Sequence, residues 1–138
     1  MTRTCLKLTL TLVPILSACV SEPVPQRPAT VRTIQISDWV TPNAVYAKSG
    51  EEIRWQNLRT NPVRVGFLGR RLLDELGCKK GVTTLLGEVN DLITIAPGKS
   101  VSLCPTRSGV LQYNVWFDAE NPRGAISPTA TVHVDAGG

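Results

Sequence analysis

Short segments of alternating polar and apolar residues, separated by turn-forming residues, run through the chain from Val31 onward. Alternation with a period of two places successive side chains on opposite faces, so each segment predicts a half-buried strand. In Glu52 to Asn57, for example, Ile53 and Trp55 share one face. Many short strands at this spacing are typical of a sandwich or barrel. We expect an all-β fold, a single antiparallel β-sandwich of about eight strands at 31–36, 44–47, 52–57, 63–67, 92–95, 100–103, 110–117 and 129–134.

One segment departs from this alternation. Leu72, Leu73 and Leu76 are spaced to lie on one side of a helix, and Gly77 is placed to end it. We therefore expect one short helix at 70–76, within an insertion at 69–87 that interrupts the strands.

The start of the chain has the pattern of an export signal. Arg3 and Lys7 precede an uncharged apolar run at 8–16, which is too short to span a bilayer. The sequence Leu16-Ser17-Ala18-Cys19 then resembles the bacterial lipoprotein box, in which cleavage falls before the cysteine and its sulfur is acylated. An ordinary secretory signal with a chance cysteine is the alternative. We expect residues 1–18 to be a signal peptide and Cys19 to carry the lipid.

The proline-rich stretch at 19–30 is expected to be a tether, followed by one domain at 31–138. Acyl chains on Cys19 would hold this domain at a membrane. Val20 is not the aspartate associated with inner-membrane retention in such lipoproteins. The resemblance therefore implies an outer-membrane anchor, with the domain facing the periplasm.

The charge balance argues against nucleic-acid binding. Removing 1–18 takes away Arg3 and Lys7, so the formal net charge falls from +4 to +2. Nucleic-acid binding usually needs a basic stripe or patch, which an excess this small does not indicate.

Cys78 and Cys104 remain for pairing once Cys5 is lost with the leader and Cys19 is acylated. An oxidising compartment favours a structural disulfide without a redox role. Closing such a loop would stabilise the fold by roughly 3–4 kcal/mol in the chain-entropy model. A metal pair or reactive thiols are the alternatives, but neither a neighbouring histidine nor a Cys-x-x-Cys spacing supports a metal site.

The order of the turn and strand motifs resembles that of the cupredoxins between residues 39 and 134. That family shows a Lys-x-Gly-Glu turn, a strand with Trp and Asn, a Pro-His-x-Val segment, a Pro-Gly turn, a Gly-x-Tyr-x-Tyr strand and a late Gly-x-Ile. The corresponding residues here are 48–51, 53–57, 62–65, 96–100, 108–113 and 124–126. The resemblance implies a cupredoxin-like sandwich.

The same resemblance implies a type 1 copper site, which needs two imidazoles and a thiolate. Val63 stands at the first histidine position and Val115 at the cysteine position, and the loop at 121–123 offers neither histidine nor methionine. The chain contains one histidine, His133. We therefore expect no type 1 copper, no metal site and no cofactor.

No catalytic constellation is recognisable. Gly98-Lys99-Ser100 mimics the end of a phosphate-binding loop, but Ile93 replaces the required upstream glycine and the following residues alternate like a strand. His133 is the sole candidate base and no nucleophile elbow accompanies it, so we interpret it as an exposed or hydrogen-bonded strand residue. Glu51-Glu52 and Asp74-Glu75 are interpreted as solvated charge. We expect no enzyme and identify no small-molecule substrate.

These observations favour a non-catalytic, membrane-anchored lipoprotein that acts as a binding or accessory module of the bacterial cell envelope. A cupredoxin-related metal-handling or electron-transfer protein is the alternative, and an enzyme with an unrecognised site is a third. The insertion at 69–87 is the first candidate contact region for an envelope protein, because long loops on rigid scaffolds often carry function. Its basic residues, Arg70, Arg71, Lys79 and Lys80, suit an acidic partner or simply form a solvated loop. Trp116 and Phe117 form a second candidate surface if they are exposed, although alternation can place Trp116 in the core.

Overall fold

The computed structural model describes residues 30–69, 71–82 and 91–137. The predicted signal peptide, Cys19, most of the tether and Arg70 lie outside these residues. The described ranges contain ten strands. They are β1 (Val31–Ile36), β2 (Val40–Thr41), β3 (Ala44–Lys48), β4 (Glu52–Asn57), β5 (Val63–Leu68), β6 (Leu76–Lys80), β7 (Leu92–Ile95), β8 (Ser100–Pro105), β9 (Gly109–Trp116) and β10 (Ala130–Asp135).

The strands form two five-stranded sheets, which confirms the predicted all-β sandwich. Sheet A has the order β2-β1-β4-β8-β6, and sheet B has the order β3-β10-β9-β5-β7. Both sheets are mixed, because β1 runs parallel to β4 and β10 runs parallel to β3. The prediction of a wholly antiparallel sandwich is therefore wrong. Alternation fixes which face of a strand is buried, but it specifies neither the neighbouring strand nor its direction.

The core lies between the sheets and is built from the inward-facing residues of both. Trp55 of β4, Phe67 of β5 and Tyr113 of β9 form edge-to-face ring pairs at its centre, with centroid distances of 5.4 to 6.5 Å. Ile34 and Ile36 of β1 are fully buried beside them. The alternation of polar and apolar residues in the sequence thus predicts the inward-facing side of both sheets correctly.

The predicted helix at 70–76 is wrong. Residues 71–75 form turns and bends, β6 begins at Leu76, and Gly77 lies inside that strand at a register shift. Leu72 and Leu73 are buried in the core. Leu72 packs close to Gly109, where an added Cβ atom would lie 3.2 Å from the Leu72 side chain. A one-turn helix is costly to nucleate, whereas the edge of β8 offers ladder hydrogen bonds to this segment.

The turn that joins β7 to β8 is confirmed. The Lys99 N–H donates to the Ala96 carbonyl at 3.1 Å, and Gly98 has a φ of 69°, which favours glycine. Val101 and Leu103 then lie in β8. Because β7 belongs to sheet B and β8 to sheet A, the Pro97-Gly98 turn carries the chain from one sheet to the other and is not part of a hairpin. In the part of the chain that the structure describes, no helix has the length and apolar character needed to cross a membrane.

Candidate functional site

The turn after β4, at one end of the sandwich, is organised by the buried side chain of Asn57. Its amide nitrogen donates to the carbonyls of Asn61 at 3.0 Å and Ile95 at 2.9 Å, and its amide oxygen accepts the Arg59 N–H at 2.9 Å. All these polar atoms are therefore satisfied without water. Asn57 thereby fixes the β4–β5 turn to the end of β7.

Arg59, held by that turn, connects three segments at the same end. Its Nη1 donates to the Ser37 carbonyl and to Asp38 Oδ1, each at 2.9 Å, and its Nε donates to Asn61 Oδ1 at 3.3 Å. The guanidinium carbon lies 5.5 Å from the centre of the Phe117 ring. Such a contact adds a cation–π attraction to the hydrogen bonds. The Arg59 side chain is consequently anchored in place at this end.

The segment after β9 forms another wall of the same end. Ser127 is buried, and its hydroxyl accepts the Val115 N–H at 2.9 Å while its own N–H donates to the Val115 carbonyl at 2.8 Å. Residue Ile126 forms an isolated bridge with Trp116. These bonds fix the segment at 125–128 against the last residues of β9.

Between these walls lies an open cleft of about 470 Å³. We call it the Trp39 cleft; it is lined by Asp38, Trp39, Val40, Asn43, Arg59, Phe117, Ala125, Ile126, Ser127 and Pro128. Trp39 is 75% exposed and Ile126 is 48% exposed, although both are large and apolar. The volume lies within the range of small-ligand sites, and it also suits an apolar side chain of a partner. No nucleophile–base pair is among the residues that line the cleft.

The sequence identified one wall of this cleft and missed the others. Phe117, which belongs to the second candidate surface predicted from the sequence, lines the cleft. Trp116 is half-buried and packs over Gly66, where a side chain would lie 2.6 Å from its ring. Trp39 and Arg59 were missed, although a tryptophan in the polar Ser37-Asp38 turn was a usable signal.

The basic residues of the insertion do not join the Trp39 cleft. Lys79 and Lys80 lie on β6, at the opposite edge of sheet A from β2, where the cleft residue Val40 lies. Lys80 Nζ lies 3.8 Å from Glu52 Oε2. Arg71 is exposed in the turn before β6. The segment at 83–90 lies outside the described residues, as does Arg70.

The pairing of Cys78 with Cys104 is confirmed. The disulfide joins β6 to β8 with a Cα–Cα distance of 4.8 Å. Cys78 therefore attaches the predicted insertion at 69–87 to β8, the strand that carries Cys104.

The residues at the expected copper positions do not fit that metal. Val63 and Val115 are fully buried, and an aliphatic side chain offers no lone pair. His133 lies on β10, where its ring stacks on Tyr46 at a centroid distance of 4.7 Å. Within residues 30–69, 71–82 and 91–137, no group of three or more His, Cys, Asp or Glu side chains is placed to hold a metal ion.

The interpretation of Glu52 as solvated charge is wrong. This residue is only 7% exposed, and its carboxylate accepts hydrogen bonds from Ser102 Oγ at 2.8 Å and Arg54 Nη2 at 2.8 Å. The hydrogen bond from the Ser102 hydroxyl has the largest effect and holds the pKa of Glu52 below its ordinary value. The hydrogen bond from Arg54 acts in the same direction, and burial opposes both. The network ties β4 to β8 on the outer side of sheet A, which makes it structural.

No protein-family model matches the sequence, and no curated protein matches it. Solved structures of amicyanin are similar to the chain at low identity. A Cu(I) variant is 19% identical over 78% of this chain and 82% of that chain, with a TM-score of 0.47. A reduced variant is 16% identical over 80% and 87%, with a TM-score of 0.49, and an oxidised variant is 20% identical over 78% and 82%, with a TM-score of 0.47. At these identities the likeness concerns the fold alone.

Proposed function

We propose that this chain is a non-catalytic, cupredoxin-related binding module of the bacterial cell envelope, and that it contacts its partner through the Trp39 cleft. The observation that carries the proposal is the exposure of Trp39 and Ile126 on a rigid end of the sandwich. Exposed apolar side chains around a concave site are typical of interaction surfaces, and tryptophan and arginine are frequent anchors of binding energy.

The rigidity of the cleft supports a role in recognition. Arg59 is held by hydrogen bonds to Ser37, Asp38 and Asn61, and Asn61 in turn donates to the Phe117 carbonyl at 2.7 Å. Side chains that are already fixed lose less conformational entropy when a partner binds. Lys80, which belongs to the predicted basic surface, is held less firmly than Arg59. Its Nζ lies 3.8 Å from Glu52 Oε2, which is too long for a hydrogen bond.

The position of β1 suits a tethered module. Its N-terminal neighbour, Thr30, accepts the Glu52 N–H at 3.1 Å, whereas Ser37 at its other end contacts Arg59. A strand of this length spans roughly 20 Å. The tether at 19–30 therefore joins the domain at the opposite end of β1 from the Trp39 cleft, which leaves the cleft accessible when Cys19 is lipidated.

Site-specific photo-crosslinking in the native bacterial membrane tests the contact surface. A photoreactive phenylalanine analogue at position 39 should give a discrete adduct, and Arg59→Ala should reduce its yield. Position 46 is the matched control, because Tyr46 is an aromatic residue 65% exposed outside the cleft. Absence of an adduct at position 39, or an equal adduct at position 46, contradicts the proposal.

Membrane fractionation tests the anchor separately. Cys19→Ser should release the protein from the membrane fraction or block its processing, because the acyl chains would be lost. A Cys19→Ser variant that remains processed and membrane-bound would show that Cys19 is not the anchor.

The alternative, a cupredoxin-related metal-handling or electron-transfer protein, is supported by the motif order and opposed by the donor set. We propose that buried Val63 and Val115 replace a type 1 copper site with core packing. The thermal midpoint should then be the same with and without Cu(II), because a ligand stabilises only a state that it binds. Stoichiometric copper with intense visible absorption would favour the alternative.

A further inference from the structure

The Cys78–Cys104 disulfide lies at the edge of sheet A rather than between the two sheets. β6 is the outermost strand on this side and pairs with β8, and Cys78 lies directly opposite Cys104 in the register. Their Cα–Cα distance of 4.8 Å is close to the ~4.5 Å of a non-hydrogen-bonded antiparallel pair. Both cysteines are half-buried rather than enclosed. Both cysteines are therefore partly accessible to solvent.

β6 itself buries little. None of its residues is fully buried, and only Leu76 packs partly against the core. The chain is instead anchored on either side of the strand, by Leu73 before it and Val82 after it, each less than 5% exposed. Loss of the disulfide would consequently leave β6 as a short surface segment between two buried anchors.

We propose that the disulfide is a redox-sensitive clasp, whose reduction releases Leu76–Lys80 from β8 while the sandwich stays folded. An oxidising compartment predicts a structural role alone for this bond. Its half-buried position on an edge strand supports a second role. Accessible disulfides are the ones that exchange readily, whereas buried ones resist reduction. Released β6 would uncover the backbone edge of β8, which is a site for pairing with another extended chain.

The reductant is a dithiol. One of its thiolates attacks Sγ of Cys78 or Cys104, which breaks the disulfide and forms a mixed disulfide. Its second thiol then displaces the protein sulfur and becomes oxidised with the first. Two electrons and two protons pass from the dithiol to the protein, which leaves Cys78 and Cys104 as thiols.

The experiment uses the full lipid-anchored protein in detergent and dithiothreitol at neutral pH without denaturant. Alkylation and mass spectrometry measure reduction at Cys78 and Cys104, and hydrogen exchange measures opening of residues 76–80. We expect reduction to accelerate exchange in β6 by ~10-fold or more, as local opening does. β7, an edge strand of sheet B, is the internal control and should not change. The Cys78→Ala/Cys104→Ala double variant should reproduce the reduced state.

Three outcomes would overturn the clasp. Reduction by dithiothreitol only under denaturing conditions would show that the bond is inert in the folded protein. Unchanged exchange in β6 after complete reduction would show that the ladder holds the strand without the bond. Global unfolding of the reduced protein, or a double variant that does not fold, would show that the disulfide is a staple for the whole domain.

Discussion

Trp55 and Trp39 show how the same side chain serves two regions of this molecule. Trp55 is fully buried between the sheets, in edge-to-face contact with Phe67 and Tyr113. Trp39 is 75% exposed at the Trp39 cleft, although burying so large an apolar side chain would stabilise the fold. The interior between the sheets is closed by packing, whereas the cleft is held open by polar bonds around Arg59 and Asn57. Packing in the first region stabilises the fold, and we propose that the second region serves recognition.

The largest effect should follow from removing the central aromatic ring. Trp55→Ala should lower the free energy of unfolding by about 3–5 kcal/mol, because it leaves a cavity among packed rings. Urea denaturation measures this difference, with Trp39→Ala as the matched control. A loss below 1 kcal/mol would show that the interior does not depend on this ring.

The interior was the part that sequence could predict. Ile53 and Trp55 are assigned to one face of a strand because side chains alternate along it, which is a local property. β2 has two residues and β6 buries few side chains, so neither carries a clear alternating signal. The parallel pairing of β1 with β4 depends on contacts between segments that are distant in sequence, and local patterns do not encode it.

The Trp39 cleft was harder to predict for a related reason. Its walls come from 38–40, Arg59, Phe117 and 125–128, which are distant in sequence and meet only after folding. Phe117 was noticed because it ends a recognisable strand. Trp39 and Arg59 lie in polar turns, and a side chain in such a turn is predicted to be solvated unless its neighbours in the fold are known.

The second prediction concerns the boundary between the two regions. Asn57→Ala should cost about 2–3 kcal/mol, because it leaves the carbonyls of Asn61 and Ile95 and the Arg59 N–H without their partner. It should also weaken crosslinking at position 39, since the turn that holds Arg59 would loosen. Ser49→Ala is the control, because that half-buried hydroxyl donates to the Thr106 carbonyl at 2.6 Å, outside the Trp39 cleft. Equal losses of unfolding free energy and of crosslinking in the two variants would show that Asn57 has no special role at the cleft.

A smaller effect should appear at the outer side of sheet A, where Glu52 contributes to stability through its charge. The pKa of Glu52 is lowered from 4.5 in the folded protein, so its contribution is present above that value and is lost as pH falls through the folded pKa. Glu52→Gln should cost ~1–2 kcal/mol at pH 7, and the two stabilities should converge in acid. Urea denaturation between pH 3 and 7 measures this convergence. Glu120→Gln controls for net charge, and a constant difference across the range would contradict the assignment.

The smallest stability effect should come from the residue with the largest functional effect. Trp39→Ala should change the free energy of unfolding by no more than about 0.5 kcal/mol, because an exposed side chain loses little when it is truncated. The same variant should abolish capture of a partner by the photoreactive analogue placed at the neighbouring position 126. This combination separates a recognition residue from a packing residue, since Trp55→Ala should do the reverse by destabilising the domain. If Trp39→Ala instead costs 2 kcal/mol or more, the cleft is an extension of the interior, and its exposed tryptophan is a structural element of the sandwich.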